Sequence, residues 1–521
     1  MATVYNSALS RLEAWVDKHA SWFVMGIIIG AFIIRAIYSV SCYLNPDESA
    51  HFDVAAANSW SESIKGAFTL THPPLFIAVL HATLFLGRSE LIVRLPSLIA
   101  GTAALWFAFA WMKRVLGAVP ALGGLGFMAL SPMAISASSE VRQYGLLLFF
   151  ICAALYATER LFAEHSTRWA ILQGVFLLGA ILTHYIALIV LASVGLYVLL
   201  RWLADGLPKR IAVTFVLSQL IIAIVFLSLY FGVVRKSIPF GHGSTLDYLR
   251  PLYYLPGVET PLGFAWRSIF GTFMHATGLV KLSYLFMFLF VAGFAALLAA
   301  RTKAPRLTAL LVMSPFVFGF VAAIFQIFPF AGTRHQAYLL PFLAAGIAAA
   351  LACLPRGWMV PLLLLGAVIS PHWLSRAMPD NNMHVDRLSD MTAAMQYVKQ
   401  TIPAGAPIFV DYETRHVLRY YLARDESFPG TLQTYLNPER FYGGYHVVVP
   451  ATYTWVFQPD DVLAEAQKST QAIGAPPGNP LWVVSVAWAD PLFASRIPAG
   501  QVRDLKQFGM ISVIKFPAQT P

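Results

Sequence analysis

The stretch that decides the fold runs from Trp22 to Asp53: WFVMGIIIGAFIIRAIYSVSCYLNPDESAHFD. Residues 22–41 carry one charge, Arg35, in an otherwise apolar run. A helix crossing a bilayer needs about 17–25 such residues. Pro46-Asp47-Glu48 follows, with no small-residue cleavage site, so the run reads as a retained span and not as a removed signal peptide. The whole chain repeats the pattern. Of its 521 residues, 58% are apolar and 12% charged, and the mean hydropathy is +0.65. Soluble proteins average about 45–50% apolar and about 25% charged, which excludes a soluble domain and a disordered chain.

The first long run predicts many more. Spans are expected near 22–42, 92–111, 119–138, 143–162, 169–183, 186–203, 211–233, 279–300, 307–328, 337–354 and 357–373, eleven in all. Residues 73–87 are apolar but too short to cross, and they begin with two prolines, so a re-entrant or interfacial helix is expected. Residues 5–20 are amphipathic and expected on the membrane surface.

Charge sets the expected orientation. With the N-terminus inside, the inner loops hold Lys113/Arg114, Arg160/Arg168, Arg201/Lys209/Arg210, Arg301/Lys303/Arg306 and Arg356, as positive-inside charge requires. The net charge of +10 is thereby explained without nucleic acid, for which no motif is present. The same count puts 43–91, 139–142, 234–278, 329–336 and the tail beyond 373 outside.

That tail alternates polar and apolar segments. Strands are expected at 407–411, 445–450, 481–487 and 510–516, and helices at 385–401, 412–423 and 459–469. The expected organisation is a transmembrane domain over 1–375, with an outer loop at 43–91, and a soluble α/β domain over 376–521. Cys42, Cys152 and Cys353 all lie in or beside apolar runs, so the tail has no disulfide framework.

Ionisable groups near hydrocarbon are costly and mark function by default. Here five clusters reach the same expected face. They are Asn45–Asp53 with its adjacent carboxylates, Thr71-His72-Pro73-Pro74-Leu75, Ser139–Tyr144 with Glu140 and Arg142, His184-Tyr185, and Gly332–Tyr338 with Arg334 and His335. Each has a plain structural explanation: a helix cap, proline punctuation, an ion pair, a core histidine, a snorkelling arginine. Together, carboxylates, cations and histidines suit an anionic phosphate group beside a carboxylate base. Arg235 and Lys236 add charge on that face, whereas Arg35 lies about 18 Å of helix from Asp47 and reads as structural. There is no phosphate-binding glycine loop; Gly123-Gly124-Leu125-Gly126 sits inside a span and reads as close helix packing.

In this order the clusters resemble the membrane-embedded C-type glycosyltransferases, in particular the protein O-mannosyltransferase and aminoarabinose transferase group. The residues carrying the resemblance are Pro46-Asp47-Glu48, His72-Pro73-Pro74-Leu75, Leu91–Ser97, Glu140–Tyr144, His184-Tyr185 and Arg334–Pro341, across roughly residues 20–350. The resemblance implies a polytopic α-helical membrane protein of the C-type glycosyltransferase fold, with a variable C-terminal α/β domain. It implies transfer of a sugar, with inversion, from a polyprenyl-phosphate donor to an extracytoplasmic glycan, lipid or protein. By that resemblance Asp47 is the catalytic base and Glu48 orients or ligates beside it. Glu140, Arg142, His184, Tyr185, Arg334 and His335 bind donor phosphate or sugar, and His72, Pro73 and Pro74 shape the loop. The group is divided on metal use; Asp47, Glu48, His51 and Glu140 are the residues that could hold Mg2+ or Mn2+. A bacterial inner membrane with the site facing the periplasm is the expected location. The rival class is a transporter or flippase for a lipid-linked or anionic substrate, but inverted repeats and midplane charges, which mark such proteins, are not visible.

Overall fold

The computed structural model describes residues 2–70, 72–235, 249–355, 357–377, 387–426, 439–450, 462–472, 480–486 and 504–516. Expectations for Thr71, Lys236 and Arg356 lie outside these residues.

The chain opens with α1 (Ala2–Lys18) and α2 (Ala20–Ser41). Three short helices follow: α3 (Pro46–Ala55), α4 (Trp60–Thr69) and α5 (Leu75–Thr83). The helical body continues with α6 (Glu90–Leu116), α7 (Ala118–Leu130), α8 (Pro132–Ser139), α9 (Tyr144–Glu164), α10 (Thr167–Thr183), α11 (Ala187–Asp205) and α12 (Lys209–Leu229). It closes with α13 (Pro261–Thr277), α14 (Val280–Ala299), α15 (Lys303–Ile324), α16 (Leu340–Ala352) and α17 (Met359–Ala377).

Among the described residues, nine helices are long and apolar enough to cross a membrane, or ten with the bent pair α7–α8. The eleventh expected segment is α10, which at 17 residues is at the lower limit for a span. Residues 75–86 form a short apolar helix, as the double proline suggested. Two features go beyond the expectations. The run 119–138 is not one straight helix but breaks by 59° at Ser131. Pro132 begins the second half, where it offers no N–H and clashes with the preceding turn. The expected outer loop 234–278 contains α13, an amphipathic 17-residue helix capped by the Thr260 hydroxyl on the Gly263 N–H.

The break explains Arg35. Its guanidinium is fully buried and donates to the carbonyls of Ala129 and Met128, at 3.0 and 3.3 Å, and to Ala31 at 3.1 Å. The first two are end-of-helix carbonyls of α7 that no following turn can satisfy. Arg35 is structural, as its distance from Asp47 predicted. Close packing around Gly124 also follows expectation: a Cβ there would strike Met112 in α6 and the Ala344 carbonyl in α16.

The C-terminal part builds α18 (Leu388–Thr401), β1 (Pro407–Phe409), α19 (Tyr412–Ala423), β2 (Glu439–Tyr442), β3 (Tyr445–Val448), α20 (Val462–Ala472), β4 (Leu481–Ser485), β5 (Asp504–Phe508) and β6 (Ile511–Phe516). The sheet order is β2-β3-β1-β4-β6-β5, with β3, β1 and β4 parallel and the remaining pairs antiparallel. Alternate residues serve two faces. Ile408, Val447, Val484 and Val513 pack with α18, α19 and Tyr43, whereas Phe409, Val448, Val483 and Ile514 pack with Ala466 of α20. Four strands were expected; β2 and β5 were not. β5 is an edge strand with largely exposed side chains, so it lacks the buried alternation that announces a strand.

Candidate active site

The site is built on α3. Asn45 caps that helix, accepting from the Glu48 N–H at 3.0 Å, and the Glu48 carboxylate accepts the Asn45 N–H at 3.1 Å. Pro46 takes the first position, where a missing N–H costs nothing. The two adjacent carboxylates then diverge.

Glu48 points inward and is fully buried. Arg94 of α6 grips it with two bonds, Nε to Oε1 at 2.8 Å and Nη2 to Oε2 at 2.7 Å. The Val141 N–H donates to Oε1 at 2.7 Å. Arg94 also donates to the carbonyls of Ser39, Cys42 and Tyr43. One buried ion pair therefore ties the end of α2, the start of α3, α6 and the α8–α9 turn. Glu48 is expected to orient or ligate beside Asp47; as placed, its two oxygens are taken by Arg94 and the N–H groups of Asn45 and Val141, which leaves the ligating alternative without a free oxygen.

Asp47 points the other way and stays about one-quarter open, its side chain 23% exposed. Its Oδ2 forms an ion pair with Arg142 Nη1 at 2.9 Å and accepts a hydrogen bond from Arg334 Nη2. Burial opposes charge on Asp47, but the two guanidinium groups prevail and hold its carboxyl well below the usual range. Arg142 follows Glu140 in the α8–α9 turn. Arg334 opens a short 3₁₀ turn capped by Thr333 and Gln336. Just before it, Gly332 has φ +54°, and a Cβ there would collide with the Gly271 backbone of α13, so only glycine allows this approach. The missed helix α13 thus sets where Arg334 stands.

Imidazoles surround this triangle. His51 Nδ1 donates to the Asp47 carbonyl at 2.7 Å, and its buried Nε2 has no hydrogen-bond partner among the described residues. His72 stacks on His51 at 5.4 Å and lies 6.0 Å from His184, whose ring is 5.7 Å from Tyr144. Tyr144 in turn meets His335 at 6.2 Å. Burial, reinforced by Arg142, pulls His51 and His184 down to about 3 and holds His72 well below its ordinary value, so these rings are neutral. Buried polar atoms without hydrogen-bond partners among the described residues gather nearby: Nε of Arg142, the side-chain amide of Gln143, the hydroxyl of Tyr144 and Nε2 of His275 on α13. Glu140 accepts from the Ser136 hydroxyl at 2.6 Å, and burial with nearby Glu48 pushes its carboxyl up.

Of the expected site residues, Asp47, Glu140, Arg142, His72, His184, Arg334 and His335 therefore share one neighbourhood. Tyr185 turns toward Phe226 instead, with ring centroids 6.4 Å apart. Pro74 caps α5. The four candidate metal ligands do not fit a divalent cation as placed. Asp47 faces two cations, Glu48 is taken by Arg94, and no three His, Cys, Asp or Glu side chains gather as a ligand set among the described residues.

Missed by sequence reasoning was the contribution of the C-terminal domain. Asp53 of α3, fully buried, accepts from His416 Nδ1 at 2.6 Å and from Arg419 Nη1, both on α19. Tyr421 holds the Leu44 N–H at 3.0 Å, and Tyr420 donates to the Arg88 carbonyl at 2.7 Å. The signal present was a predicted helix with Arg415, His416 and Arg419 within a single turn.

Residues 71–230 match the family described as dolichyl-phosphate-mannose-protein mannosyltransferase. The fold is similar to that of ArnT from Cupriavidus metallidurans in the apo state, with TM-score 0.53, 14% identity, and 95% of this chain and 98% of that one covered. The same protein bound to undecaprenyl phosphate gives TM-score 0.50 over the same shares. The resemblance to the mannosyltransferase and aminoarabinose transferase group holds. The archaeal oligosaccharyltransferase AglB from Archaeoglobus fulgidus, in complex with an inhibitory peptide and a dolichol-phosphate, gives TM-score 0.51 at 10% identity, covering 92% of this chain and 71% of that one. No curated protein matches the chain.

Proposed function

We propose that this chain is a membrane glycosyltransferase that takes a sugar from a polyprenyl-phosphate donor and passes it, with inversion, to a hydroxyl-bearing acceptor. The observation that carries the reading is Asp47, an ionised and partly open carboxylate held by Arg142 and Arg334 from two other parts of the chain. Without ligand, Asp47 neutralises the two arginines. A donor phosphate is the stronger partner for paired guanidinium groups and draws them away. That frees Asp47 and raises its basicity beside the acceptor.

In the step, the acceptor hydroxyl gives its proton to Asp47. Its oxygen bonds to the anomeric carbon from the face opposite the phosphate. The carbon–oxygen bond to the phosphate breaks with its electron pair, and Arg142 and Arg334 neutralise the leaving polyprenyl phosphate. The neutral imidazoles and Tyr144 supply hydrogen-bonding sites for sugar hydroxyls without adding charge. By positive-inside charge, the site and the C-terminal domain face the periplasm of a bacterial inner membrane.

The test supplies radiolabelled polyprenyl-phosphate sugars to purified protein, with cell extract as acceptor source and divalent metal added. Wild type releases lipid phosphate from one donor, and Asp47→Asn lowers the rate by about 10²–10⁴-fold, the usual worth of a general base. A folded wild type that consumes no donor overturns the reading and leaves lipid-linked transport as the next assay.

A further inference from the structure

His51 is held in one tautomer by its own helix. Its Nδ1 lies 2.7 Å from the Asp47 carbonyl, which only accepts, so Nδ1 carries the proton. In the neutral ring Nε2 is then a bare acceptor. That atom is buried, in a residue only 3% exposed, and has no hydrogen-bond partner among the described residues. A buried acceptor without a donor is costly and calls for a group that completes the bond. The ring is fixed in the site. It springs one turn from Asp47, stacks on His72 at 5.4 Å and meets Phe76 edge-on at 5.9 Å.

His184, 6.0 Å beyond His72, is fixed the opposite way. Its Nδ1 accepts the Ile186 N–H at 3.1 Å, so in the neutral ring Nε2 carries the proton and donates. The row of three imidazoles therefore offers an acceptor at one end and a donor at the other. A hydroxyl both donates and accepts, and matches either end. A carboxylate only accepts and finds no donor at His51. An ammonium only donates and finds no acceptor at His184. Beside His51 it meets Arg142 and Arg334, two cations already gathered on Asp47.

We propose that His51 is a specificity-determining residue whose Nε2 accepts a hydrogen bond from one hydroxyl of the donor sugar, and that this sugar is neutral, neither an amino sugar nor a uronate. The inference rests on the proposed transferase activity and names the class of sugar that the activity takes.

The experiment uses the purified full chain and measures kcat/KM for lipid-phosphate release. The donors are the polyprenyl-phosphate sugar that wild type consumes, each of its monodeoxy analogues, and its amino and uronate counterparts. Wild type discriminates against one monodeoxy analogue by about tenfold, the worth of one good hydrogen bond, and against both charged sugars. Two variants separate the ring nitrogens. His51→Asn keeps an N–H for the Asp47 carbonyl but has no acceptor where Nε2 stood, and His51→Gln places an amide oxygen there and gives up the Asp47 contact. In the Asn variant the intact sugar slows and its advantage over that analogue falls below about twofold, whereas the Gln variant keeps the advantage. The ratio is taken within each variant, so a fall in folded fraction cancels.

Wild type that prefers the amino sugar or the uronate, or that treats every monodeoxy analogue like the intact sugar, overturns the inference without any variant. An Asn variant that still discriminates overturns it, since His51 then only holds the Asp47 backbone. Loss of discrimination in both variants also overturns it, since the ring then acts by shape. Wild type that consumes no donor at all removes the transferase reading first, and the inference falls with it.

Discussion

At the scale of the residue, two neighbouring carboxylates have different fates because their neighbours differ. Glu48 meets Arg94 in a dry site and is held by it bidentately, and Asp47 meets two cations at an opening. Removing one member of a buried pair leaves the other charge uncompensated, at about 3–5 kcal/mol. Glu48→Gln is therefore expected to lower stability by that order, read as a drop in melting temperature of the purified protein, whereas Asp47→Asn melts close to wild type and loses turnover. The sequence showed both acids and the arginines. It did not show which arginine each acid would take, because Arg94, Arg142 and Arg334 lie far apart in the chain and only packing pairs them.

At the scale of the element, α3 is gripped from both sides. Glu48 fixes it to the helical body and Asp53 fixes it to α19. Burial acts to raise the Asp53 carboxyl, but Arg419 and His416 hold it below its ordinary value of about 3.9. Burial, with Arg415, also holds His416 below its ordinary value of about 6.5. Both folded values are depressed, so both contributions are present above the unfolded values and are lost as pH falls. The clasp is expected to loosen in acid, first below about 6.5 through His416 and then below about 3.9 through Asp53. Hydrogen exchange of α19 should accelerate accordingly, and Asp53→Asn should exchange faster already at neutral pH. The helix of residues 412–423 was legible from its periodicity. Its partner was not, since Asp53 lies more than 350 residues away in the chain.

At the scale of the whole molecule, the site and the basic loops occupy opposite ends of the helical body. Arg160 stacks over Tyr156 and Trp169, and Arg201 reaches Glu159 and Tyr197, far along α9 from Tyr144. At the same end α1 meets the start of α17, where the Gly357 N–H donates to Glu13. Exposed Cys353 lies close by, whereas Cys42 and Cys152 are buried. With the proposed orientation, a membrane-impermeant maleimide should label wild type through Cys353 in inside-out vesicles and leave right-side-out vesicles unlabelled, and Cys353→Ser should abolish the signal. Labelling from the other side would invert the topology.

Apolar run length, charge placement and period-two alternation are local properties, and they determined most of the apolar spans, eleven expected against nine or ten among the described residues, the short helix at 75–86, and the α/β character of the tail. They also placed the ionisable clusters at helix ends, where chain-breaking residues such as Pro46 and Pro73 announce themselves. Tertiary structure alone decided the bend at Ser131, the role of Arg35 in satisfying the carbonyls that bend exposes, the glycine contact that sets Arg334, and the clasp of Asp53 by His416 and Arg419. These depend on which buried charge meets which partner across hundreds of residues. Pairing of that kind follows from the desolvation cost of each group in its final surroundings, and no local pattern records it.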